Sequence, residues 1–98
     1  MPRSAAEATS PLSADRQRID RWLWHARVVR SRSAAAALVA AGHVRVNGIR
    51  VETPSREVKC GDVVTVALDN GVRVLKARGF APRRGNAVMA ALLYEELG

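Results

Sequence analysis

The sequence has 98 residues, enough for one small domain, and 48% of them are apolar, which excludes a globally disordered chain. Sixteen basic residues face nine acidic ones, for a net charge of +7, and a balance this basic points to a polyanionic partner: RNA, DNA or an anionic membrane surface. Fourteen of the sixteen are Arg; a GC-rich genome accounts for much of the choice of Arg over Lys but not for the sign of the imbalance.

Cys60 is the single cysteine, so no intramolecular disulfide forms. His25, His43 and Cys60 have no metal-type spacing, and no cofactor or metal is expected. No apolar run approaches membrane-spanning length, and the N-terminus lacks a charged region followed by an apolar stretch. The expected location is the cytoplasm, with no membrane partner.

Residues 1–17 are rich in Ala and Ser, and their charges cancel: Arg3 and Arg16 against Glu7 and Asp15. They read as a disordered tail. The whole excess of positive charge therefore belongs to residues 18–98, taken as the folded domain.

Residues 18–30 read as a helix. Ile19, Trp22, Leu23, Ala26 and Val29 recur at the helical period, with Arg18, Arg21, His25 and Val28 off that face. Trp22 is assigned to the core. Trp24 points elsewhere, either against a second element or toward a stacked base. Ser31-Arg32-Ser33 breaks the pattern, and Ser31 or Ser33 suits an N-cap because its hydroxyl accepts from the first turn's free N–H groups. A second, Ala-rich helix over residues 33–41, anchored by Leu38 and Val39, stops at Gly42.

The chain then turns to strands. Val44-Arg45-Val46, Asn47-Gly48 and Ile49-Arg50-Val51 form a hairpin signature, since Asn-Gly favours a two-residue type I′ turn. The register puts Val46 opposite Ile49 and Val44 opposite Val51 on one face, with Arg45 opposite Arg50 on the other. Gly61-Asp62 is a turn, followed by a strand over residues 63–68. Asp69-Asn70-Gly71 is another turn, followed by a strand over 72–78 whose alternation slips at Val74-Leu75 and suggests a bulge or an edge. Residues 82–85 form a basic loop. Asn86 caps a last helix with Met89, Leu92, Leu93 and Leu97 along one side.

Catalysis needs a nucleophile beside a base, paired carboxylates, or a metal. The acidic residues are scattered, Cys60 reads as a small apolar filler, and there is no glycine-rich phosphate loop, so the sequence argues against an enzyme. The arginines carry the signal. A like-charge pair across a hairpin costs a few tenths of a kcal/mol unless both chains splay into water or an anion sits between them. Arg30 and Arg32 lie at the helix junction just before it, and the planar guanidinium fork matches phosphate.

Residues 18–66 resemble an S4 domain, an RNA-binding module named from a ribosomal protein. The resemblance rests on an ordered set: Arg18-Ile19-Asp20, Ser31-Arg32, Leu38-Val39, Gly42-His43-Val44, Val46-Asn47-Gly48, Pro54-Ser55 and Gly61-Asp62. Asp20-Arg21-Trp22-Leu23-Trp24, Ala26-Arg27, Arg83-Arg84 and the closing run at residues 91–96 are similar to the ribosome-associated heat-shock protein 15 family. Together these cover about 80 of the 98 residues.

The resemblance implies an α+β fold of the α-L type: two short N-terminal helices packed on a small twisted antiparallel sheet, with a C-terminal strand and helix following an S4 core over residues 18–66. It implies RNA held along the helices and hairpin, and a role on large ribosomal subunits that still carry nascent-chain tRNA after translation has failed. The implied partners are ribosomal RNA and tRNA or peptidyl-tRNA. Arg18, Asp20 and Arg21 fall at the start of the family's RNA-facing first helix, Ser31 and Arg32 at the start of the second, and His43, Arg45 and Asn47 at the RNA-facing hairpin. Arg30 and Arg50 join them from the charge pattern.

The sequence departs from the family in two respects. The second helix is nearly all Ala where relatives often carry basic residues, and some relatives continue into a long basic extension whose function is not expected here. Two other classes stay in view: an RNA-docking accessory subunit for a separate RNA-modifying enzyme, and a DNA-binding regulator using residues 18–41 as a helix-turn-helix. The latter has almost nothing on its second helix to read base edges, so duplex DNA binding is expected to be weak.

Overall fold

The computed structural model describes residues 15–98. The tail expected over residues 1–17 lies outside them up to residue 14, and its end needs correcting. Arg16–Arg18 is a short strand, β1, paired antiparallel with β4 (Glu57–Lys59), Gln17 opposite Val58. Helix α1 (Ile19–His25) follows at once, and α2 (Arg32–Ala40) packs against it.

Four further strands, β2 (Val44–Val46), β3 (Ile49–Val51), β5 (Val63–Leu68) and β6 (Gly71–Ala77), join β7 (Tyr94–Glu96) in one antiparallel sheet of order β3-β2-β5-β6-β7. A single turn of helix, α3 (Ala87–Ala90), runs into a 3-10 turn (Ala91–Leu93) and then into β7. The fold is α+β, as expected.

The core forms because the apolar stripe of the helices meets one face of the sheet. Ile19, Trp22, Leu23, Ala35 and Val39 pack with Val44, Val46, Val64, Val66, Leu75 and Ala77, closed at one side by Phe80. The strand period of two puts the arginines of β2 and β3 on the opposite face. The hairpin has the expected register, with Arg45 opposite Arg50, and its turn residues Asn47 and Gly48 lie at φ 53° and 82°, the positive values a type I′ turn requires. Asn47 also ties the turn to β5: its Nδ2 donates to Asp62 Oδ1 at 3.0 Å and its Oδ1 accepts from the Val63 amide at 2.9 Å.

Several expectations fail for local reasons. Helix α1 stops five residues early, at His25, with Arg27 in the left-handed region at φ 60°. Ile49 shares the face of the buried valines but is 68% exposed, because β3 is the sheet's edge and Ile49 lies at the tip. Strands β5 and β6 pair without a break from Val63–Lys76 to Leu68–Gly71, so there is no bulge at Val74-Leu75. Strand β6 is not an edge either, because β7 pairs its far side. Val74 simply faces outward, beside Gly98. The long C-terminal helix is one turn: Asn86 caps it by accepting from the Met89 amide, only Ala90 and Leu93 are buried, and Leu97 continues β7 by donating to Val74. Cys60 is exposed, its thiol against the Arg78 carbonyl at 3.5 Å, and fills no core position.

Candidate nucleic-acid interface

Helix α2 organises the basic surface. Ser31 caps it by accepting from the Ala34 amide at 3.0 Å, which places Arg32 in the first turn. Gly42, at φ 84°, ends it and turns the chain into β2. Arg50 reaches back across from β3 and lies over Gly42, its Cδ 3.4 Å from where a β-carbon would stand. Arg32 and Arg50 therefore mark opposite ends of α2, a helix of nine residues and about 13 Å in length at 1.5 Å per residue. Between them the exposed positions of α2 are Ser33, Ala37 and Ala40, a floor of small side chains.

At the first end, Arg21, Arg32 and Arg84 gather around His25 closely enough for their charges to act on it. The imidazole is 2% exposed and its pKa lies below the ordinary 6.5. Burial is the main cause; the fields of Arg21, Arg32 and Arg84 add to it, and a backbone contact with Ala81 opposes it. Its Nδ1 has no partner among the described residues. His25 was expected on the exposed side of α1; because the helix ends there, the ring folds under the loop that follows β6.

At the second end, Arg45 and Arg50 face each other across the hairpin, both exposed, with exposed His43 beside them. Among the described residues, Arg21, Arg30, Arg32, Arg45 and Arg50 make no side-chain hydrogen bond or ion pair with one another or with a carboxylate. Their charge is left to solvent or to a ligand. Spacing left open whether the helix junction and the hairpin converge; Arg32 and the Arg45–Arg50 pair stand at the two ends of α2.

The remaining expected residues are engaged elsewhere. Asp20 is 4% exposed; its oxygens accept from Arg18 Nε at 3.1 Å and Nη2 at 2.8 Å, and from the Arg21 amide at 2.7 Å. The bidentate pair holds Arg18 against the start of α1 and raises its pKa, through the hydrogen bonds first. Asn47 is consumed by the turn and Asp62.

The basic loop at residues 82–85, legible in the sequence but not assigned to the site there, packs on the end of α1. Arg84 lies over the Trp24 ring, 5.6 Å from its centroid, and donates to the Trp24 carbonyl at 3.0 Å and the Val29 carbonyl at 3.5 Å. Arg27 Nε donates to the Gly85 carbonyl at 3.0 Å. The loop is thus stitched to the end of α1, and Trp24 is covered by a guanidinium. Only the paired Arg83-Arg84, some 60 residues away in sequence, signalled this.

The S4 domain family model matches residues 17–64, the stretch that runs from within β1 through α1, α2, the hairpin and β4 to the start of β5. Heat shock protein 15 of Escherichia coli K12 is 37% identical over 79 residues, covering 81% of this chain and 59% of that protein. The heat shock protein 15 homolog of Haemophilus influenzae is 34% identical over the same length. The small ribosomal subunit protein uS4 of Methylobacterium radiotolerans is 44% identical over 50 residues, 51% of this chain and 24% of that one. A solved trimeric structure of heat shock protein 15 from Vibrio cholerae superposes with a TM-score of 0.79 at 32% identity, covering 85% of this chain and 83% of that one. The chain belongs to the S4-domain proteins and, within them, to the heat shock protein 15 family. It spans 59% of the length of the Escherichia coli relative.

Proposed function

We propose that this chain binds structured RNA on the ribosome, gripping phosphates with the arginines at the two ends of α2. The observation that carries this reading is the arrangement itself: Arg21 and Arg32 at one end and Arg45 and Arg50 at the other, with small side chains between. A backbone can lie close along such a floor, and each end meets a separate phosphate. Affinity comes from charge and counterion release, selectivity from RNA shape. Arg18 and Asp20 act as a buried-carboxylate clamp that fixes the start of α1, and Ser31 and Asn47 position their neighbours. His43 lies beside the hairpin pair.

The kinship with heat shock protein 15 favours the large ribosomal subunit, with ribosomal RNA and peptidyl-tRNA as partners, in rescue or recycling of stalled particles. Sedimentation with separated small subunits, intact ribosomes, and large subunits with and without peptidyl-tRNA tests it. Selective pelleting with the peptidyl-tRNA-loaded large subunit is the expected result; equal, salt-labile pelleting with every particle reduces the reading to a generic RNA binder. Replacing both Arg45 and Arg50 by Ala is expected to weaken RNA binding and to lower the dependence on log salt by about two phosphates. Unchanged affinity in the folded double variant removes the hairpin from the site.

A further inference from the structure

A cavity of about 540 Å³ opens between the loop after β6 and the α3 turn. Phe80, Pro82, Met89, Leu92 and Leu93 make its lining largely apolar, His25 forms part of its wall, and Arg83 stands at it, exposed and without a partner among the described residues. The volume lies in the range of small-ligand sites. Met89 is 49% exposed and Leu92 67%, so one wall is apolar surface left open to water. The same His25 sits within the field of Arg21, Arg32 and Arg84, so the cavity adjoins the basic end of α2.

We propose that this cavity takes one unpaired nucleotide of the bound RNA, with its base between the Met89–Leu92 wall and Pro82 and its phosphate on Arg83. The proposal rests on the RNA-binding reading and adds a specificity element to it. A planar heterocycle matches an apolar slot, and stacking on side chains is how unpaired bases are commonly held. A second copy of the chain would cover the same apolar surface. It would bring another +7 of charge to a rim that is already basic, whereas a nucleotide brings the opposite sign.

The test uses the full chain and two labelled RNAs, a fully paired duplex and the same duplex with one unpaired purine. Tighter binding of the bulged RNA, by about tenfold or more, is expected. Replacing Met89 and Leu92 together by Ser should abolish that preference and leave duplex affinity unchanged, while the Arg45, Arg50 double variant weakens both RNAs equally. Both Met89 and Leu92 are exposed, so the fold should survive. Equal affinity for the two RNAs, or a preference untouched by the Ser variant, overturns the proposal. So does a Ser variant whose only effect is loss of self-association in sedimentation. If neither RNA binds, the RNA reading fails by itself, and titration with adenosine monophosphate decides the cavity. Saturable NMR shifts of the Met89, Leu92 and Leu93 methyl groups sustain it, and their absence sinks it.

Discussion

At the end of α2 the Gly42 amide donates to the Val39 carbonyl and the His43 amide to Leu38, both at 3.0 Å, with Gly42 at φ 84°. At the end of α1 the Arg27 amide donates to Trp24 and the Val28 amide to Leu23, also at 3.0 Å, with Arg27 at φ 60°. These are the same six-to-one and five-to-two closures, and glycine is the residue they favour. A side chain in the left-handed region costs about 1–2 kcal/mol. Glycine avoids that cost at α2, so the stop is local. At α1 the cost is offset from outside, by Arg27 on Gly85, by Arg84 on Trp24 and Val29, and by burial of Trp22. One helix ends where its own residue allows; the other ends where a distant loop holds it.

The difference can be broken most severely at Trp22, which is fully buried in α1 and whose Nε1 donates to the Gly79 carbonyl at 3.2 Å. Trp22→Ala is expected to cost about 3–5 kcal/mol in urea denaturation, through lost burial and the cavity left behind. A loss under about 1 kcal/mol would mean that the loop after β6 does not hold α1.

Gly42→Ala is expected to cost about 1–2 kcal/mol from backbone strain. The added β-carbon meets Arg50 Cδ at 3.4 Å, an ordinary contact, so stability should fall while RNA affinity of the folded variant is little changed. Unaltered stability would show that the turn at the end of α2 relaxes freely.

At Arg27 the comparison is sharpened by two variants that both lose the guanidinium. Arg27→Gly should be more stable than Arg27→Ala by about 1 kcal/mol, the backbone cost isolated from the bond to Gly85. Equal midpoints for the two would remove strain from the account.

The smallest effect is the pH dependence of His25. Its folded pKa is depressed, so the unfolded chain binds the proton more readily. Stability is complete above pH 6.5 and declines as pH falls below it. His25 is faced by Arg21 on its own helix, Arg32 on α2, and Arg84 and the Ala81 backbone from the loop after β6. Thermal midpoints should fall from pH 7 to pH 5 in the parent and fall less in His25→Gln; parallel profiles would contradict the assignment.

The sequence by itself determined the parts whose signals are local. Gly42 and Ser31 mark the ends of α2, Asn47-Gly48 sets the hairpin register, and Gly61-Asp62 and Asp69-Asn70-Gly71 bound β5, because each acts through its own backbone or that of a near neighbour. Even the cross-strand facing of Arg45 and Arg50 follows from a two-residue turn and a period of two. Tertiary structure alone decided the rest. Arg27 carries no stop signal, so the early end of α1 depended on a loop some 60 residues away. The apolar spacing of Met89, Leu92 and Leu93 looks helical, but pairing with β6 claimed the residues after 93 for β7 and left Met89 and Leu92 exposed. The resemblance implied RNA-facing positions for Asp20 and Asn47; burial and turn geometry engage both side chains within the protein. Spacing along the chain shows which side chains are charged; only packing shows which charges are left unpaired.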